Sequence, residues 1–160
     1  MGKLYTVSFA AVAITVAQDL FEITNAATRV LYVHGLELGQ GTELGDAAEE
    51  MLQILVKRGT SLTTSGSGGS APTPAPVEAN QGASAFTAEV NNTTKLAVGT
   101  GSITTLMATY WNVRSVPMQW IFTPEMRPVV SPSERLTVEL VAAPADSITV
   151  SGTLWVEEVG

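Results

Sequence analysis

Apolar and polar residues alternate with period two through most of the chain. Near its end, Leu136, Val138 and Leu140 fall on one face of an extended segment, with Thr137, Glu139 and Val141 on the other. Ile148, Val150, Leu154 and Val156 repeat the pattern against Thr149, Ser151, Thr153 and Glu157. Gly152 interrupts this second strand, the mark of a bulge or of a close backbone approach. The link at 142–146, Ala-Ala-Pro-Ala-Asp, is short enough for an antiparallel pair. Further β-rich runs lie at 4–9, 12–16, 20–24, 29–38, 52–57, 86–90, 103–110 and 118–122. One short helix is expected from Asp46, where Asp46 and Glu49 have N-cap and N3 spacing; it runs two turns at most before Ile54 and Val56 resume a strand.

Many short strands separated by Gly and Pro turns predict an all-β chain, an antiparallel β-sandwich or barrel, jelly-roll-like, with at most one short helix. Residues 64–76, Thr-Ser-Gly-Ser-Gly-Gly-Ser-Ala-Pro-Thr-Pro-Ala-Pro, have the composition of a flexible linker followed by polyproline II. Neither flank closes a domain by itself. The expectation is therefore one domain over 1–160 with a long ordered loop at 64–76, held most simply by a neighbouring subunit.

Composition changes the picture at the surface. Only 14% of the 160 residues are charged, against roughly 25% in an ordinary soluble chain, and mean hydropathy is +0.23. Spread over the roughly 7,600 Å² of a compact monomer of this mass, the charges would lie one per about 330 Å², against about 190 Å² for an average chain. Such a surface points to a membrane or to other subunits. No run of 18 apolar residues exists, so an ordinary transmembrane helix is excluded. Lys3 and the residues after it imitate a short signal peptide, but Tyr5, Thr6, Ser8 and Thr15 interrupt the apolar run and favour strands.

The net charge of −7, with eight scattered basic residues, argues against nucleic acid as a partner. There is no cysteine, and His34 is the only histidine, so neither a thiolate site nor a multi-histidine metal site can form; no metal and no cofactor is expected. His34 reads as a structural, half-buried residue. Asp19 with Glu22, and Glu157 with Glu158, read as surface charges rather than as an acid and base. No serine sits in a G-x-S-x-G turn, and Gly39, Gly41 and Gly45 miss the dinucleotide-binding spacing. Glu37, Glu43, Asp46, Glu49 and Glu50 form an acidic stretch that reads as solvated in preference to a cation or partner site.

Five blocks carry a family resemblance: Thr-Val-Ser-Phe-Ala-Ala-Val-Ala-Ile-Thr at 6–15, Gly-Asp-Ala-Ala-Glu-Glu at 45–50, the Gly/Ser/Pro tract, Thr-Pro-Glu-Met-Arg-Pro at 123–128 and Val-Ala-Ala-Pro-Ala-Asp-Ser at 141–147. With these blocks the chain resembles small structural proteins of tailed bacteriophages. The resemblance implies a non-enzymatic head decoration or cement protein on the capsid surface of the virion. Its partners would be further copies of itself, a trimer being favoured, and a major capsid protein, with no nucleic acid and no membrane.

The apolar surplus is expected along the amino-terminal strands, the Pro-rich stretch after Trp120 and the 64–76 loop. The candidate interface residues are Leu4, Val7, Phe9, Pro72, Pro74, Pro76, Trp120, Phe122, Pro124 and Met126. A tail or fibre component is the nearest variant. From another class comes a carbohydrate-binding β-sandwich that uses Trp111 or Trp120 as a stacking platform.

Overall fold

The computed structural model describes residues 2–42 and 49–160. Among these residues eleven strands follow in order: β1 (Lys3–Ile14), β2 (Gln18–Thr24), β3 (Val30–Gln40), β4 (Met51–Gly59), β5 (Ala75–Pro76), β6 (Thr87–Asn92), β7 (Ile103–Asn112), β8 (Met118–Ile121), β9 (Val129–Val130), β10 (Arg135–Leu140) and β11 (Ile148–Val159). The only helical element among the described residues is the 3-10 turn Pro124–Met126. The helix expected at Asp46 lies largely outside the described residues; Glu49 and Glu50 are not helical.

All pairings are antiparallel. One sheet, A, runs β5-β1-β11-β3-β8, with β9 also on β3; the other, B, runs β6-β2-β10-β4-β7. Without the short β5 and β9 and the added β6, the orders are β1-β11-β3-β8 and β2-β10-β4-β7. Successive strands alternate between sheets except at the β4–β7 hairpin. This is the jelly-roll wiring, two Greek keys folded into a sandwich.

That wiring corrects the expected pairing of β10 with β11. β10 lies between β2 and β4 in sheet B, and β11 lies between β1 and β3 in sheet A. The 142–146 link thus crosses from sheet to sheet. Both strands have an apolar face, and facing each other across the sandwich buries both.

The core fills the space between the sheets. Tyr5, Val7 and Phe9 of β1 face Phe21 and Ile23 of β2, together with Leu36, Leu38, Ile54, Val138 and Leu154. Phe9 and Phe21 meet at 5.1 Å between ring centroids, and Tyr5 meets Phe86 edge-on at 5.6 Å. Gly152 makes room for the first pair. A Cβ there would lie 2.8 Å from Leu38 Cδ2, 3.0 Å from Phe21 Cζ and 3.1 Å from Phe9 Cε1. The bulge that accompanies it is on the partner strand. The β1–β11 register shifts between Phe9 and Val12, where Ala11 has φ +52° and donates its N–H to Ser151 Oγ at 2.9 Å.

The β4–β7 hairpin carries a long insertion, residues 60–102, that returns over the molecule. It contributes β6 beside β2 and β5 beside β1, so one side of the sandwich has both sheet edges extended by the same insertion. The loop at 64–76 is held by its own chain. Ser67 bridges Thr94, Thr64 bridges Ala97 and Ser70 bridges Val90, and Ala75 and Pro76 pair with Thr6 and Tyr5.

Candidate functional site

The insertion covers a polar layer on the outer face of sheet B. In a regular strand Asp19 and Glu22 would point to opposite faces. The β2–β10 register shifts between Val138 and Glu139, so Leu20 is extra and both carboxylates turn to the outer face. They are not surface charges: Asp19, Glu22 and Glu139 are all buried.

Glu22 is the clasp for the Gly/Ser tract. It accepts from Ser65 Oγ, from the Gly66 N–H at 2.9 Å and from Asn92 Nδ2 at 3.4 Å, and Arg135 Nε lies 3.9 Å away. Glu139 pairs with both Lys57 and Lys95. Burial opposes its charge, but hydrogen bonds from the two ammonium groups outweigh that and hold its pKa below the usual range. Asp19 has no such cation in contact. Burial pushes its pKa up to about 6, and the Leu96 N–H, at 2.7 Å from Oδ2, offsets only part of this. Its Oδ1 and the Thr137 hydroxyl on the adjacent strand have no hydrogen-bond partner. The layer holds the insertion down, and among the described residues no grouping of three or more His, Asp or Glu is suited to a metal ion.

Glu157 and Glu158 diverge as neighbours on a strand should. Glu158 is buried and accepts the Ala85 N–H at 2.6 Å; Glu157 faces out and accepts from His34 Nε2 at 2.7 Å. His34 is half-buried. Of the acidic stretch, Glu37 accepts from Gln119 at 2.6 Å, Glu50 accepts the Ala145 N–H at 2.6 Å and Glu49 is exposed, while Glu43 and Asp46 lie outside the described residues, as does Gly45.

The expected interface residues divide. Val7, Phe9 and Phe122 face the core and Pro74 is buried, so their side chains are spent inside the monomer. Leu4, Pro72 and Trp120 are half-buried, with Trp120 packed on the core. Pro76, Pro124 and Met126 are exposed. The structure does not gather the ten into one surface. Trp111 is buried as well. Trp155, which the sugar-binding expectation passed over, is the tryptophan on an outer face, opposite Gly35 of β3.

What the sequence reading missed is the β7 edge. Among the described residues no strand pairs with the far side of β7. The other edges are blunted: β1 by the Ala11 bulge, β6 by its bridge to Ser70, β5 by Pro76, and β8 by being four residues long between Pro117 and Pro124. β7 has a bulge at Leu106, which leaves 107–112 as a regular free edge. Its flank is apolar, with Tyr110 of β7 59% exposed, Met51 of the neighbouring β4 55% and Val116 in the turn after β7 80%. The signal was there to read, because no charged residue occurs between Lys95 and Arg114.

In comparison with known proteins, no family model, no curated protein and no solved structure matches the chain.

Proposed function

We propose that this chain is a non-enzymatic assembly subunit, a virion structural protein that decorates the capsid surface and associates with its own copies. The observation that supports this reading best is the β7 edge. A jelly roll extended by its insertion on one side keeps a regular, uncharged strand edge open on the other, which is a template for strand addition.

The second copy is the occupant that the charge distribution favours. At a net −7 the molecule repels itself, and homotypic contact is favoured where charge is absent. Two β7 strands meeting antiparallel bring no like charges together. That geometry is two-fold and favours a dimer over the trimer that the resemblance implies. Burial of four carboxylates, Asp19, Glu22, Glu139 and Glu158, leaves the exterior still poorer in charge than composition suggests, which suits extensive contact.

The virion setting rests on the sequence resemblance and is tested by co-sedimentation with empty phage heads, followed by imaging of the decorated particle. Saturable binding at regular positions on the shell supports it. Failure to bind heads, with the protein free or confined to tails, overturns the capsid assignment.

A further inference from the structure

A cleft of about 190 Å³ opens on the outer face of sheet A, lined by His34, Gly35, Leu36, Gln119, Ile121 and Trp155. Its shape follows from a missing side chain. Gly35 of β3 pairs with Trp155 on one side and with Ile121 on the other, so two outward side chains flank a residue that has none. A Cβ on Gly35 would lie 3.6 Å from the Trp155 ring and 2.8 Å from the Trp120 carbonyl, so glycine keeps the slot open. The flanking strands stand about 10 Å apart, two strand spacings, which leaves room for one flat ring between the walls.

Polar groups stand at both ends. His34 donates from Nε2 to Glu157, which leaves Nδ1 as the ring's remaining hydrogen-bonding atom. Gln119 donates to Glu37, which leaves the Gln119 carbonyl and the second Glu37 oxygen. Beyond Glu37 the face continues as a groove of about 540 Å³ that includes Ser8, Thr149, Ser151 and Thr153.

We infer that the Trp155–Ile121 cleft binds one ring of a neutral sugar and that the hydroxyl-lined groove takes the following units of a glycan chain. Stacking of sugar C–H groups on the indole and hydrogen bonds from vicinal hydroxyls to a carboxylate–amide pair fit this lining. No Lys or Arg lines either cavity, and Glu37 and Glu157 disfavour anionic sugars. A quaternary ammonium is the poorer fit, because the wall opposite Trp155 is aliphatic and supplies no second aromatic face for a cation.

The test is titration of the full chain with cellohexaose, chitohexaose, mannohexaose and maltohexaose, with tetramethylammonium as the cationic probe, followed through the tryptophan indole resonances. At least one hexaose is expected to shift Trp155, with affinity falling about tenfold in Trp155→Ala and severalfold in Gln119→Ala at unchanged melting temperature. Silence of all four at about 10 mM, binding that Trp155→Ala leaves intact, or a response to tetramethylammonium alone overturns the inference.

Discussion

The backbone N–H of Leu96, in the returning insertion, lies 2.7 Å from Asp19 Oδ2, and this is the one hydrogen bond of a carboxylate that is wholly buried and whose other oxygen has no partner. The contact fastens the insertion to the sheet at the expense of an uncompensated charge. Its cost depends on pH.

Folded, Asp19 keeps its proton up to about pH 6, against 3.8 for a free carboxyl. Between these values the folded chain binds more protons than the unfolded one, so stability falls as pH rises and stays lower above pH 6. Two pH units correspond to about 3 kcal/mol. Glu139 acts in the opposite sense: its pKa is lowered in the fold, so its contribution is present above 4.5 and is lost as pH falls below that. The combined contribution of these two groups is therefore greatest at about pH 4–5. Urea unfolding from pH 3 to pH 8 checks this, and Asp19→Asn should flatten the decline between 4 and 6. Wild-type stability that is level or rising across that window would count against it.

Glu22 answers three donors, two in the Gly/Ser tract and one at the end of β6, so Glu22→Ala leaves Ser65, Gly66 and Asn92 short of an acceptor under the insertion. A loss of about 3 kcal/mol is expected. Limited proteolysis should then cut within 64–76 before the sheets unfold. Cleavage no faster than in wild type would show that the bridges to Thr94, Ala97 and Val90 suffice alone.

Lys57→Met strands Glu139 in the buried layer with Lys95 as its remaining cation, and should cost about 3 kcal/mol by chemical denaturation. Adding Glu139→Leu should restore most of that, because a buried pair replaced by apolar groups is near neutral. A double variant as unstable as the sum of the two single changes would indicate that the pair does not interact.

Strand positions were legible because alternation is a local property, and β2, β3, β4, β6, β7 and β11 fall within a few residues of their expected places. The same parity places Tyr5, Val7 and Phe9 together on an inner face, and it sets Trp155 with Thr153 and Glu157 on an outer one. Both follow from the pattern, although Val7 and Phe9 were assigned to an interface. Three features were not local. The burial of Asp19 and Glu22 depends on the Leu20 bulge and on a cover some forty residues or more away in sequence, so their charge alone suggested solvent. The partner of the Gly/Ser tract is the same chain, through Glu22 and Asn92. The separation of β10 from β11 is a matter of topology, and a short link joins strands across a sandwich as readily as within a sheet.

Association through the β7 edge is the central claim, and light scattering of the purified chain beside an edge-blocked variant tests it most directly. Ala108→Lys with Tyr110→Lys places two like charges on exposed positions of β7 and leaves the core intact. The wild type should have about twice the 16.8 kDa monomer mass at micromolar concentration, and the variant the monomer mass with an unchanged melting temperature. A wild type that stays at 16.8 kDa, or a variant that associates as well as the wild type, would contradict it.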